Sequence, residues 1–185
     1  MAYYPDLSSY TYYSEETNPP TLNVGWLDKR YAYPQGETSE EFAERLWQFC
    51  RWHVVGMRGF HNCEFCPELA NDVALHWRGG ERLLLGSAEI RVFGLNGVAY
   101  AAPNMVYHYV VTHRYCPPVE FIQAVLEGPL PDSPEYAARA MGCTWWEDAQ
   151  RWWQLQEEIS RQNLETPISG SLDRHVLKTI RQLYT

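Results

Sequence analysis

Residues 59–66 read Gly-Phe-His-Asn-Cys-Glu-Phe-Cys, which sets Cys63 and Cys66 apart by two residues and places His61 just ahead of them. Cysteines at that spacing serve as a redox pair, as half of a metal site, or as two small core residues. A redox pair of the thioredoxin kind opens a helix that follows a parallel strand. Here Pro67 follows the second cysteine and no strand–helix–strand pattern surrounds the pair, which argues against redox chemistry. A metal site needs more donors. Structural zinc takes four N or S ligands at the corners of a tetrahedron, whereas catalytic zinc takes three and keeps one position open.

The remaining donors stand further along. His108 and His113, with four residues between them, fall on a predicted helix directly after a predicted hairpin. A step of five residues exceeds one helical turn, but zinc histidines recur at such separations, often where the last turn is loosened. The order of knuckle, hairpin and helix therefore predicts a zinc ion held by Cys63, Cys66, His108 and His113. The plainer alternative is two small core cysteines and two satisfied histidines on an otherwise apolar helix.

Four good ligands leave no open position, which favours a structural over a catalytic zinc. His61 complicates this, because it is placed to replace one histidine or to stand behind the ligands. Glu64, inside the knuckle, is a conceivable base beside a metal, although such residues are usually solvated. The deaminase pattern H-x-E followed by P-C-x-x-C is absent, and so is H-E-x-x-H. Dinucleotide and P-loop glycine patterns and the G-x-S-x-G elbow are absent as well.

The elements that must position these residues can be read from pattern. Thr38-Ser-Glu-Glu41 is a capping box, and Phe42, Leu46, Trp47, Phe49 and Cys50 give the following helix one buried face to about residue 51. Thr21–Leu27 reads as a short strand that carries Trp26 inward, and Val73–Trp77 as another, closed by a break at Gly79-Gly80. Leu83–Val92 and Val98–Ala102 flank the turn signal Asn96-Gly97. Asn104 is the expected cap of the helix bearing both histidines. A short helix over Val119–Leu126 stops at Gly128-Pro129. Beyond it, Ser133 and Pro134 start a helix to about Met141, and Thr144-Trp-Trp-Glu147 opens a longer one to about Gln162. A last helix is expected over Ser171–Tyr184. The fold class is α+β: a zinc-knuckle, β-hairpin and helix core over residues 1–127, with a helical region over 128–185 packed on it. Tyrosines crowd the first 36 residues, so that arm is expected to wrap over the domain.

Bulk properties narrow the function. At 185 residues the chain buries about two-thirds of its unfolded surface and needs no metal merely to own a core. A formal net charge of -8 argues against binding nucleic-acid phosphates. No apolar run reaches membrane-helix length, and the N-terminus lacks a basic and apolar leader. Five unevenly placed cysteines argue against a disulfide framework. A cytoplasmic location is expected.

The segments Asn23–Asp28, Gly59–Cys66, Gly86–Val92, Tyr100–Pro103 and His108–His113 together resemble a family of small uncharacterised bacterial proteins. The resemblance covers about residues 20–125 and includes the knuckle cysteines, His61 and both helix histidines. It supports a zinc site and implies no reaction. Two functions stay open. One is a non-enzymatic interaction protein whose acidic surface and aromatic side chains, Trp146 and Trp153 among them, bind and neutralise a basic toxin or effector as immunity proteins do. The other is a zinc hydrolase.

Overall fold

A computed structural model describes residues 2–12, 19–57, 59–66 and 74–165. It shows an α+β chain. The first helix, α1 (Glu40–Arg51), starts one residue later than its capping box implies. Ser39 rather than Thr38 is the cap, and its hydroxyl accepts the Phe42 N–H at 3.1 Å. Glu40 and Glu41 then occupy the first turn, where unpaired N–H groups favour negative charge. Phe42, Ala43, Leu46, Trp47, Phe49 and Cys50 form the buried face as expected.

Four strands make the main sheet: β1 (Thr21–Asn23), β2 (Val55–Gly56), β5 (Ala88–Phe93) and β6 (Ala99–Pro103), in the order β1-β6-β5-β2. β5 and β6 are the anticipated antiparallel hairpin, with Phe93 opposite Ala99 and Glu89 opposite Pro103. Its turn is not a two-residue one. The Gly94 N–H donates to the Val98 carbonyl at 2.8 Å, and only Gly97 takes a positive φ, of 76°. β1 runs parallel to β6, and just beyond it Trp26 is fully buried and donates its ring N–H to the Ala101 carbonyl at 3.1 Å.

The other two strands, β3 (Leu75–Arg78) and β4 (Glu81–Leu84), form a separate two-stranded ribbon. Gly79 and Gly80, with φ of 58° and 83°, are its turn. Successive positive φ values make the primed turn that matches strand twist, so the anticipated break is a hairpin. The anticipated strand Leu83–Val92 is accordingly split. Its first residues belong to β4 and the rest to β5, with Gly86 between them.

Three further helices, α2 (Val106–His113), α3 (Val119–Glu127) and α4 (Pro134–Ala140), follow the sheet. Arg45 of α1 ties down the end of α3 by donating to the Val125 carbonyl at 2.6 Å and the Gly128 carbonyl at 2.7 Å. Ser133 caps α4 with Pro134 at its first position, as the sequence implies. The chain divides into two compact units, Met1–Ala149 and Gln150–Thr185. The expected boundary after residue 127 thus falls inside the first unit. The reason is Tyr136 of α4, fully buried 4.9 Å from the Phe93 ring and donating its hydroxyl to the Arg91 carbonyl at 3.0 Å. Among the described residues the last helix, α5, runs Trp146–Glu165. The helix anticipated over Ser171–Tyr184 lies outside the described residues. Among the described residues no helix is long and apolar enough to cross a membrane.

The aromatic arm does fold over the first unit. Tyr10 is buried, and Ser9 pairs with Leu22 of β1. The Asp6 carboxylate accepts from the Gly25 N–H and the Tyr115 hydroxyl, each at 2.8 Å. Asp6 therefore clamps the chain where it leaves α2.

Candidate metal centre

Three local features bring the knuckle to α2. Gly86 has φ of 102°, and a Cβ there would lie 2.4 Å from the His61 carbonyl oxygen, so only glycine fits. The backbone of Gly86 then bonds both ways: its carbonyl accepts the His61 N–H at 2.8 Å, and its N–H donates to Asn104 Oδ1 at 2.7 Å. Asn104 is therefore not the helix cap expected of it. Met105 holds that position without a side-chain bond, and Asn104 instead joins the knuckle segment to the root of α2.

The second feature is the end of α2. In a regular helix a step of five residues rotates by about 500°, some 140° past alignment. The last turn is widened. The Arg114 N–H reaches back five residues to the Tyr109 carbonyl, and Arg114 itself is left-handed at φ 56°. That swings His113 round to its partner, and His108 Nε2 lies 3.1 Å from His113 Nε2.

The third is Phe65, between the knuckle cysteines. Its ring meets Tyr33 edge-on at 5.1 Å and Tyr109 at 5.8 Å, and lies 5.6 Å from the His113 ring. An apolar wall thus backs the histidine and holds the knuckle turn against the helix.

Cys63, Cys66, His108 and His113 converge, with their ligating atoms all within 4.8 Å of one another. Cys63 Sγ is 3.2 Å from His113 Nε2, and Cys66 Sγ is 3.4 Å from the Nε2 atoms of both His108 and His113. His108 is buried and the other three are half-buried. Burial, with the neighbouring Cys66 adding to it, pushes the Cys63 thiol up to about 11. Burial also pushes His108 down to about 4, helped by His76 and His113, and lowers His113. Neutral imidazoles are the ligating form. A divalent cation among the sulfurs would reverse the thiol shift, because its charge compensates the thiolates. The four side chains can hold a metal ion.

His61 is not part of this group; its backbone N–H is bonded to the Gly86 carbonyl at 2.8 Å. The place behind the ligands is taken by a residue the sequence did not mark. His76 Nε2 of β3 lies 2.8 Å from His108 Nδ1. No spacing rule connects residue 76 with residue 108, and only the fold of the ribbon makes them neighbours. The tryptophans expected to face a partner differ as well. Trp146 is buried, at 8% exposure, with its ring 6.0 Å from that of Tyr136, and Trp153 is half-buried. Trp146 is therefore a core residue, while Trp77 on the ribbon is 65% exposed.

An α+β domain with a two-cysteine, two-histidine cluster between a knuckle and a helix end is the class that fold and site define. The chain belongs to the family described as Domain of unknown function (DUF7919), whose model matches residues 2–126. That span includes the whole cluster. No curated protein and no solved structure matches the chain.

Proposed function

We propose that the cluster holds one zinc ion in a structural role and that the chain is a non-enzymatic, protein-binding module. The carrying observation is the size of the cluster. Tetrahedral zinc with Zn–N near 2.0 Å and Zn–S near 2.3 Å sets its ligand atoms about 3.3 Å apart for N and N, and about 3.5 Å for N and S. The distances here are 3.1 Å for the nitrogen pair and 3.2–3.4 Å for three of the four mixed pairs, with all four ligand atoms within 4.8 Å of one another. Two thiolates and two imidazoles suit zinc's borderline softness. Four protein donors at that spacing leave no position for a water, so the ion holds the knuckle to α2 instead of activating a nucleophile.

The test is metal analysis of the purified chain beside a Cys63→Ala variant. One zinc per chain is expected, lost in the variant together with cooperative unfolding of the cluster region. A wild-type chain without stoichiometric metal sinks the reading. A variant that loses zinc yet keeps that region folded would move the site to the catalytic class and favour the hydrolase.

Support for a protein partner is the net charge of -8 and one ribbon face. Leu75 and Trp77 project to the same side, with Leu84 opposite Leu75, and all three are exposed. Acidic charge speeds encounter with a basic partner, and an exposed tryptophan is a common anchor. The partner is then a basic toxin or effector that this chain neutralises. A pull-down from the native host with wild type and Trp77→Ser side by side should recover a basic protein only with wild type. Recovery of the same protein by both would discard the ribbon as its docking face.

A further inference from the structure

The β3–β4 ribbon meets α2 through a ring-to-ring hydrogen bond that no role in the four-ligand set explains. His108 Nε2 faces the cluster, 3.4 Å from Cys66 Sγ and 3.1 Å from His113 Nε2. Its other nitrogen, Nδ1, faces away and lies 2.8 Å from His76 Nε2. An imidazole that ligates through Nε2 carries its proton on Nδ1, so the shared proton belongs to His108 and His76 must accept it. Ligating histidines are commonly fixed in tautomer and ring orientation in this way, by an acceptor behind the ligand. Thr112 Oγ1 is the alternative partner for the same Nδ1, at 3.4 Å, too far to match the histidine. His76 is itself held in place. Its ring stands edge-on to Tyr107 at 5.5 Å, and two residues on, Arg78 donates to the Tyr107 hydroxyl at 3.3 Å and pairs with Glu40.

We propose that His76 is a positioning residue for the metal centre, accepting the His108 Nδ1 proton, and that this bond makes the seating of the β3–β4 ribbon depend on metal. The proposal rests on the metal reading above. The ribbon's outer residues Leu75, Trp77 and Leu84 are solvent-exposed, so apolar burial on that face does not hold it. With metal bound, His108 is fixed and offers the ribbon a preformed donor. Without metal, His108 is free to turn or to change tautomer, and the ribbon loses that anchor. Metal would thus control how firmly the Trp77 face is presented.

The test uses the full chain and zinc itself. Zinc affinity is measured by competition with a chromophoric chelator for wild type, His76→Gln and His76→Phe. The visible spectrum of each cobalt(II)-loaded chain is recorded, and hydrogen exchange is followed over residues 75–84. Gln keeps an acceptor; Phe keeps the ring's bulk and removes the acceptor. The expected loss for His76→Phe is about 10-fold or more in zinc affinity, with a shifted cobalt spectrum and faster exchange in the ribbon. His76→Gln should stay within a few fold of wild type with an unshifted spectrum. Should His76→Phe not fold, His76→Leu carries the same comparison. If wild type itself takes up no zinc, the metal reading has failed. If wild type binds zinc and the Phe or Leu variant binds it equally, or if Gln is weakened as much as Phe, the positioning role is overturned. Ribbon exchange that ignores zinc in the wild type would overturn the coupling.

Discussion

In the main sheet every residue of β5 and β6 is buried, and α1 and α3 close over β5. In the β3–β4 ribbon Leu75, Trp77 and Leu84 face solvent, while His76, Arg78 and Leu83 on the inner side are half-buried and His76 and Arg78 bond to α2. One region stands on apolar burial, at about 25 cal/mol for each Å² removed from water. The other cannot, because an isolated two-stranded hairpin is marginal in water. The difference teaches where a bound metal would matter most. The sheet and its helices have a core of their own, whereas the knuckle and ribbon have polar ties and four converging ligands.

Stripping the metal from the chain should break this comparison most visibly. Structural zinc supplies roughly 10–16 kcal/mol in small finger peptides. Hydrogen exchange after chelation is expected to accelerate over residues 59–66, 75–84 and 106–113 while β5 and β6 stay protected. Uniform loss of protection would show that the two regions share one cooperative core.

Next in size is a change inside the buried region. Glu89 and Arg91 are at most 2% exposed and pair at 2.6 Å, and the Tyr10 hydroxyl donates to the same carboxylate oxygen at 2.8 Å. The other oxygen, Oε1, has no hydrogen-bond partner among the described residues. Glu89→Gln removes the counter-charge of a buried guanidinium and should cost on the order of 3–5 kcal/mol in denaturant unfolding. Zinc affinity should hardly move, since the pair serves the sheet and not the cluster.

Acid should then separate the regions by slope. Burial pushes the His53 imidazole down to about 4, so the folded chain keeps it neutral where the unfolded chain, near 6.5, takes up a proton. A depressed folded value means stability is intact above about pH 6.5 and drains away as pH falls toward 4, by up to ~3 kcal/mol. His108 and His113, whose values burial also lowers, take up protons as pH falls too, so the measurement is the difference between wild type and His53→Gln. The variant's stability should fall less steeply from pH 6.5 to 4.

The smallest effect expected is at the end of α2. Arg114 holds a left-handed conformation at φ 56°, which costs an L-residue about 1–2 kcal/mol, of which glycine's extra chain entropy returns part. Arg114→Gly should therefore stabilise by about 0.5–1 kcal/mol, read as a raised melting temperature. A loss instead would mean that the Arg114–Glu37 pair, at 3.4 Å, matters more than an exposed pair ordinarily does.

Much of the scaffold was legible. The face of α1, the cap of α4 and the β5–β6 hairpin follow from periodicity and turn chemistry, which act over a few residues, and the folding of the arm from its wealth of tyrosine. Several errors share one cause. Asn104 looks like a helix cap, but its side chain serves Gly86, 18 residues away. Gly79-Gly80 looks like a break until β4 is seen to pair with β3. Trp146 looks like half of an exposed pair until Tyr136 is seen beside it. In each case a distant partner overrode a local preference.

Residue type and spacing alone picked out Cys63, Cys66, His108 and His113, because thiolates and imidazoles are scarce and the knuckle turn aims its two sulfurs by itself. Only the tertiary structure decided which histidine stands behind them. His61 is closer in sequence, yet it stands outside the converging group. His76 arrives from a separate ribbon whose place depends on long-range pairing. Ligand identity is written in side-chain chemistry, whereas the support of a ligand is written in where the backbone goes.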